Sequence, residues 1–221
     1  MPRIARVAVG GGIPLHQQIE WGRVPIFHTD DDYRHFESLL LEGVELIGMR
    51  ILAYCIMPNH FHLVLYPKNN GDMGEFMRWV TITHVRQRRA RTETIGHGHL
   101  YQGTYKSFPV ETETHLQQLM VYVEQNPLRA KLVRRAEHWK WSSLYKREHE
   151  RNTKLLAKLP ITLPKNYLTA VNTLPNTEAL ETLRRSVNRG TPFGSTQWVD
   201  EMVRMFKLES TVRNPGRPKK G

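Results

Sequence analysis

Residues 49–57 (MRILAYCIM) and 60–66 (HFHLVLY) are two apolar runs parted only by Pro58-Asn59. Proline and asparagine between two such runs mark a turn, so the stretch reads as strand, turn, strand. In the second strand the period of two sends His60, His62 and Val64 to one face and Phe61, Leu63 and Leu65 to the other. One face is therefore apolar enough to pack against helices, while the other presents two imidazoles side by side. Imidazoles at i and i+2 on a strand can chelate one divalent ion. With 11 histidines in the chain such a pair also arises by chance. Alone it leaves metal binding and a plain surface pair both open.

The neighbouring segments build a layout around that pair. Residues 31–47 read as a helix opened by acids, with Phe36, Leu39, Leu40 and Val44 as its apolar stripe. A second helix is expected over 73–91, a glycine-bearing loop over 94–104, a strand over 106–110 and a helix over 112–125 that Pro127 stops. An early strand near 13–21 completes the order strand, helix, strand, strand, helix, strand. That order predicts an α+β fold, a ferredoxin-like split βαβ sheet with helices on one face. From about residue 150 Pro160, Pro164 and Pro175 interrupt the chain. Short helices are expected at about 177–188, closed by Gly190, and 196–207, opened by Ser195. The expected division is a domain over 1–150 and a small, mostly helical extension over 151–221 with a basic tail.

Charge points to the partner. Lys and Arg number 32 against 21 Asp and Glu, a net charge of +11. A protein this basic usually meets a polyanion. The excess is concentrated in 78–106 and in 126–147, on either side of the helix over 112–125, and again in Arg213, Arg217, Lys219 and Lys220. A single cysteine, Cys55, excludes an internal disulfide framework and a Cys-rich zinc ribbon. It reads as a buried strand residue. No apolar run approaches the roughly 18 residues that span a bilayer, and no signal-peptide layout opens the sequence. A cytoplasmic protein is expected.

In HLQQLMVYVEQN (115–126), Leu116, Leu119, Met120 and Val123 form the core stripe of a helix. Tyr122 falls on the edge of that buried face. Asn126 lies one turn above it on the same side. A boundary tyrosine with a helix-ending asparagine would look the same in isolation.

Together these strings resemble a known family. Two histidines around a bulky apolar residue stand in MPNHFHLVLYP, followed by HGHLYQGTYKS, by one helical tyrosine in VYVEQNPLRAKLV, and by WKWSS at 139–143. The chain resembles the single-tyrosine HUH transposases and, more closely, the REP-associated tyrosine transposases, over about residues 12–147. SVNRGTPFGS and GRPKK near the C-terminus look like one subgroup of that family. The resemblance implies the HUH nuclease fold, with His60, His62 and Asn126 as metal ligands, Tyr122 as nucleophile and Mg²⁺ or Mn²⁺ as cofactor. In the family's glycine-rich loop Gly-Arg is frequent where this chain has Gly103-Thr104.

The implied reaction is transesterification of single-stranded DNA at a REP-type hairpin. Tyr122 attacks phosphorus, a phosphotyrosine bond forms, and a 3′-hydroxyl leaves that can later reverse the step. A phenol is ordinarily protonated at neutral pH, so such a nucleophile needs activation, for which Arg129 or Lys131 could supply charge. The basic residues assigned to DNA contact are Arg86, Arg88, Arg89, Lys106, Arg129, Lys131, Arg217, Lys219 and Lys220. Trp79, Tyr101, Tyr105, Phe108, Trp139 and Trp141 are candidate stacking platforms for unpaired bases. The expected partner is single-stranded or hairpin DNA, with a monomer favoured over a dimer and no membrane. Two rivals stand beside this reading: a hairpin-binding regulator that does not cleave, and a zinc hydrolase needing one more His, Asp or Glu near the pair. His97 and His99 sit in the glycine-rich loop and are not expected to bind metal. His84 reads as a packing residue, and His115 as a residue within reach of substrate.

Overall fold

The computed structural model describes residues 15–20, 25–92, 101, 106–150, 153–173 and 177–213. In chain order the elements are β1 (Leu15–Glu20), α1 (Asp30–Ile47), β2 (Ile51–Met57), β3 (His60–Leu65), α2 (Asp72–Thr92), β4 (Lys106–Pro109), α3 (Thr114–Glu124) and α4 (Asn126–Arg129). A 3-10 turn (Ala136–His138), α5 (Ser143–His149), α6 (Tyr167–Asn172), α7 (Thr177–Arg189), α8 (Thr196–Phe206) and α9 (Glu209–Val212) follow. The sheet, four-stranded among the described residues, runs β2-β3-β1-β4. Every neighbouring pair is antiparallel. This is the expected ferredoxin-like order.

Local chemistry sets the first helix. The Thr29 side chain accepts from the Asp32 backbone N–H, and the Asp32 carboxylate accepts in return from Thr29 N–H at 3.1 Å. This reciprocal cap satisfies donors that a helix start leaves open. Gly48 ends α1 at φ 74, a left-handed turn that favours glycine, and its N–H donates to the Val44 carbonyl at 2.9 Å. Tyr33, Phe36 and Leu40 of α1 and Met73, Phe76, Met77 and Val80 of α2 bury against Phe61, Leu63 and Leu65 of β3. At Gly43 the two helices approach so closely that a Cβ would lie 2.9 Å from the Phe76 ring. Complete burial of side chains this size contributes roughly 1.5–3 kcal/mol each.

The second core occupies the other face of the sheet. Cys55, Met57, Val64 and Phe108 meet Leu116, Leu119, Met120 and Val123 of α3. The two connecting helices thus lie on one face as expected, and α3 covers the face that carries the histidines. The extension packs into both cores: Leu155, Val203 and Leu208 join the first, and Tyr167, Val171, Leu183, Val187 and Phe193 the second. Phe193 anchors it to the sheet end, since its N–H donates to the Pro109 carbonyl and its own carbonyl accepts from Glu111 N–H, both at 2.9 Å. Pro127 does not simply stop α3. It sits in the first turn of α4, where a missing N–H leaves no bond unmade. α5, α6 and α9 were not anticipated. Among the described residues no helix is long and apolar enough to cross a membrane.

His84 is a packing residue, fully buried between the Phe27 and Phe36 rings. Its Nδ1 contacts the Tyr101 hydroxyl, and Nε2 has no partner among the described residues. Burial, then the charges of Arg88 and Arg91, push its pKa down to about 3. The folded protein therefore keeps this imidazole neutral, while the unfolded chain protonates it below about pH 6.5. Stability from this group is complete above that pH and is lost as pH falls toward the folded value. At about 1.4 kcal/mol per pH unit, the protein at pH 5 is expected to be about 2 kcal/mol less stable than at pH 7 through His84. Urea unfolding at the two pH values should show that difference shrink in His84→Leu; an undiminished difference would contradict the assignment.

Candidate active site

β3 and α3 bring the site together. His62 is the register partner of Cys55 on β2 and Gln18 on β1, and His60 of Met57 and Glu20. Cys55 and Met57 lie in the core under α3, which places both imidazoles on the α3 side of the sheet. The rings of His60 and His62 are 5.0 Å apart, with planes at 83°. The Nδ1 of His60 lies 2.8 Å from the Asn59 side-chain oxygen. A histidine oriented through one ring nitrogen offers the other as a donor, as metal-ligating imidazoles commonly do.

Tyr122 meets this pair directly. Its ring centroid is 6.0 Å from that of His62, at 88°, in an edge-to-face contact. His62 is 1% exposed and Tyr122 9%. One turn on, the Asn126 amide nitrogen donates to the Tyr122 and Val123 carbonyls, both at 3.1 Å. This fixes the direction of its side-chain oxygen, which accepts from the Arg129 guanidinium at 2.7 Å. A carbonyl oxygen keeps a second lone pair. The guanidinium of Arg129 stands 4.0 Å over the Tyr122 ring, a cation–π arrangement. Burial lowers the Arg129 pKa from its ordinary value and the Tyr122 hydroxyl opposes that shift. Guanidinium pKa values are so high that the charge persists.

The remaining expected residues scatter. Lys106 is exposed on β4, paired through Gln18 in line with His62. Arg86 is exposed on α2, and Arg89 is half-buried there. Arg88 is tied to the fold, its guanidinium donating to the Ile26 carbonyl. Lys131 is exposed, at φ 57. Arg217, Lys219 and Lys220, with His97, His99, Gly103, Thr104 and Tyr105, lie outside the described residues. Phe108 and Trp141 are core residues, while Trp79, Tyr101 and Trp139 pack partly buried against the first core. His115 is held by Glu111 at 3.2 Å and by the Phe193 ring. Among the described residues no three His, Cys, Asp or Glu gather.

The WKWSS string is scaffold for this site. Trp139 Nε1 donates to the Ile56 carbonyl at 2.9 Å, the Trp141 carbonyl accepts from Ile56 N–H, and Trp141 stacks on Tyr33. The segment thereby covers the outer edge of β2. Ser143 Oγ donates to Glu124, a fully buried carboxylate of α3 that also accepts from Tyr167 and Arg147. Sequence reasoning missed Glu124. Its signal was present: it follows Leu116 and Met120 at intervals of four, inside the apolar stripe, where a charge demands buried partners.

Residues 21–126 match the family model of IS200-like transposases. No curated protein matches the sequence. Seven chains of solved structures match. One is a REP-associated tyrosine transposase bound to a REP hairpin, with a TM-score of 0.57 and 14% identity over 74% of this chain and 95% of that one. The histidine pair, Tyr122 and Asn126 all lie within the segment that matches the IS200-like transposase model, and the chain shares its fold with that REP-associated tyrosine transposase.

Proposed function

We propose that this protein cleaves and rejoins single-stranded DNA at a REP-type hairpin, with Tyr122 as the nucleophile. The observation that carries the reading is the perpendicular contact of the Tyr122 and His62 rings, with the Arg129 guanidinium over the Tyr122 face. The phenol oxygen attacks the scissile phosphorus, the bond to the 3′-oxygen breaks, and that oxygen leaves as a hydroxyl, which accounts for the phenol proton. Arg129 supplies fixed positive charge where negative charge develops on the attacking and phosphoryl oxygens. The exposed Lys106 and Arg86 hold strand phosphates, so binding weakens with salt.

The donor set fits a divalent cation such as Mg²⁺ or Mn²⁺. It offers two adjacent imidazoles, one oriented by Asn59, and the Asn126 carbonyl oxygen with a lone pair to spare. When bound, such an ion polarises the scissile phosphate. His60 and His62 keep their rings in place through strand β3, and Asn126 through its two bonds to the α3 backbone.

The test is a labelled hairpin carrying a single-stranded flank, incubated with the protein and Mn²⁺ or Mg²⁺. A covalent protein–DNA band is expected, and EDTA or His62→Ala should lower its yield at least about a hundredfold. Cleavage indifferent to EDTA would refute the metal assignment. Binding without any cleavage would favour the hairpin-binding regulator.

A further inference from the structure

A cavity of about 240 Å³ opens between α3 and the extension, and Tyr122 forms part of its wall. Leu180, Leu183 and Phe193 make its walls largely apolar. Gln125 also lines it, although this residue is fully buried. The Gln125 Nε2 donates to the Val171 and Thr173 carbonyls at 2.9 and 2.7 Å. Two carbonyl partners fix which end of the amide is nitrogen. Its Oε1 is left without a hydrogen-bond partner among the described residues. A buried acceptor without a donor is costly to maintain, and a ligand that donates to it would remove that cost.

We propose that this cavity receives one unpaired base of the DNA strand beside the phosphate that Tyr122 attacks, and that Gln125 Oε1 selects a base bearing an exocyclic amino group. The inference rests on the reading of Tyr122 as a nucleophile on single-stranded DNA. The volume falls just below the roughly 300–1,000 Å³ of pockets for drug-sized ligands and suits a single heterocycle. Apolar walls accept the faces of a base of any kind. The acceptor discriminates among edges. Adenine and cytosine present amino donors at N6 and N4, and guanine one at N2. Thymine presents oxygens at both exocyclic positions, and only its inner N3–H could donate. A cation borders the same tyrosine, since Arg129 lies over its ring, and the charge of Arg184 on α7 reaches Arg129. This positive charge suits a phosphate next to an inserted base.

The test is a pool of hairpins with a randomised single-stranded flank, offered to the full chain with Mn²⁺. Filter-retained DNA and covalent adduct are sequenced separately. One flank position should be depleted of thymine about three- to tenfold in the retained pool. Gln125→Met should abolish that depletion. Ala170→Leu, which narrows the cavity from α6 and leaves Gln125 intact, should do the same and decides the matter if the first variant does not fold. No thymine depletion at any position, or depletion that persists in both variants, overturns the proposal. Depletion in the retained pool with an empty adduct pool would instead refute Tyr122 as nucleophile and leave the base site standing. Failure to retain any DNA refutes both.

Discussion

Tyr122→Phe is expected to remove the covalent protein–DNA product and lower strand cleavage by at least about 10⁴-fold, the scale on which enzymes lose rate when a nucleophile is deleted. The substitution removes one oxygen and leaves the ring. The edge-to-face contact with His62 and the Arg129 guanidinium 4.0 Å over the ring can both persist. Folding and DNA retention should therefore change little, which separates chemistry from structure. The comparison is a gel assay for covalent product beside filter binding of the same hairpin. Cleavage that survives in the phenylalanine variant would mean that water is the nucleophile.

Glu124→Ala is expected to lower stability by about 3–5 kcal/mol, the usual loss when one partner of a buried ion pair is removed. The Glu124 carboxylate is completely buried and accepts from Ser143, Arg147 and the Tyr167 hydroxyl, the last at 2.6 Å. Ser143 in turn accepts from Tyr54 N–H at 2.9 Å, and Arg147 donates to the Leu52 carbonyl. One side chain thus joins α3 to β2, α5 and α6. Its loss leaves the Arg147 charge part-buried and unpaired, and leaves the Tyr167 hydroxyl dry. In the intact protein burial, then the Glu124 charge, holds the Tyr167 phenol well above its usual pKa. Urea unfolding measures the effect. Glu124→Leu combined with Arg147→Met should recover much of the loss, because apolar replacement of both partners removes the stranded charge. A loss under about 1 kcal/mol for Glu124→Ala would show that the network does not hold α3 on the sheet.

The legible parts of this molecule are those set by short-range periodicity. Alternation along β3 assigns Phe61, Leu63 and Leu65 to one core and Val64 to the other whatever surrounds the strand, and both cores are built that way. The i, i+4 spacing of Tyr122 and Asn126 likewise survives any context, and the structure sets Asn126 over the Tyr122 carbonyl. Long-range packing was not legible. Nothing local in 151–213 says that Leu155 and Val203 enter one core while Tyr167 and Phe193 enter the other. Charge alone also misled in part: Arg88 belongs to a basic run, yet it closes a backbone carbonyl of the segment preceding α1. Aromatic content carried the same ambiguity, since Phe108 and Trp141 are core residues. Gln125 carries no local signal of its burial; it is held by the carbonyls of Val171 and Thr173, which α6 brings in from 46 and 48 residues away.

The most direct test of the nucleophile is to trap the covalent complex on a labelled hairpin, trim the DNA with nuclease and map the nucleotide-bearing peptide by mass spectrometry. The residual nucleotide is expected on the oxygen of Tyr122, attached through a 5′-phosphate. A nucleotide on any other residue, or efficient cleavage with no modified peptide, would contradict the account.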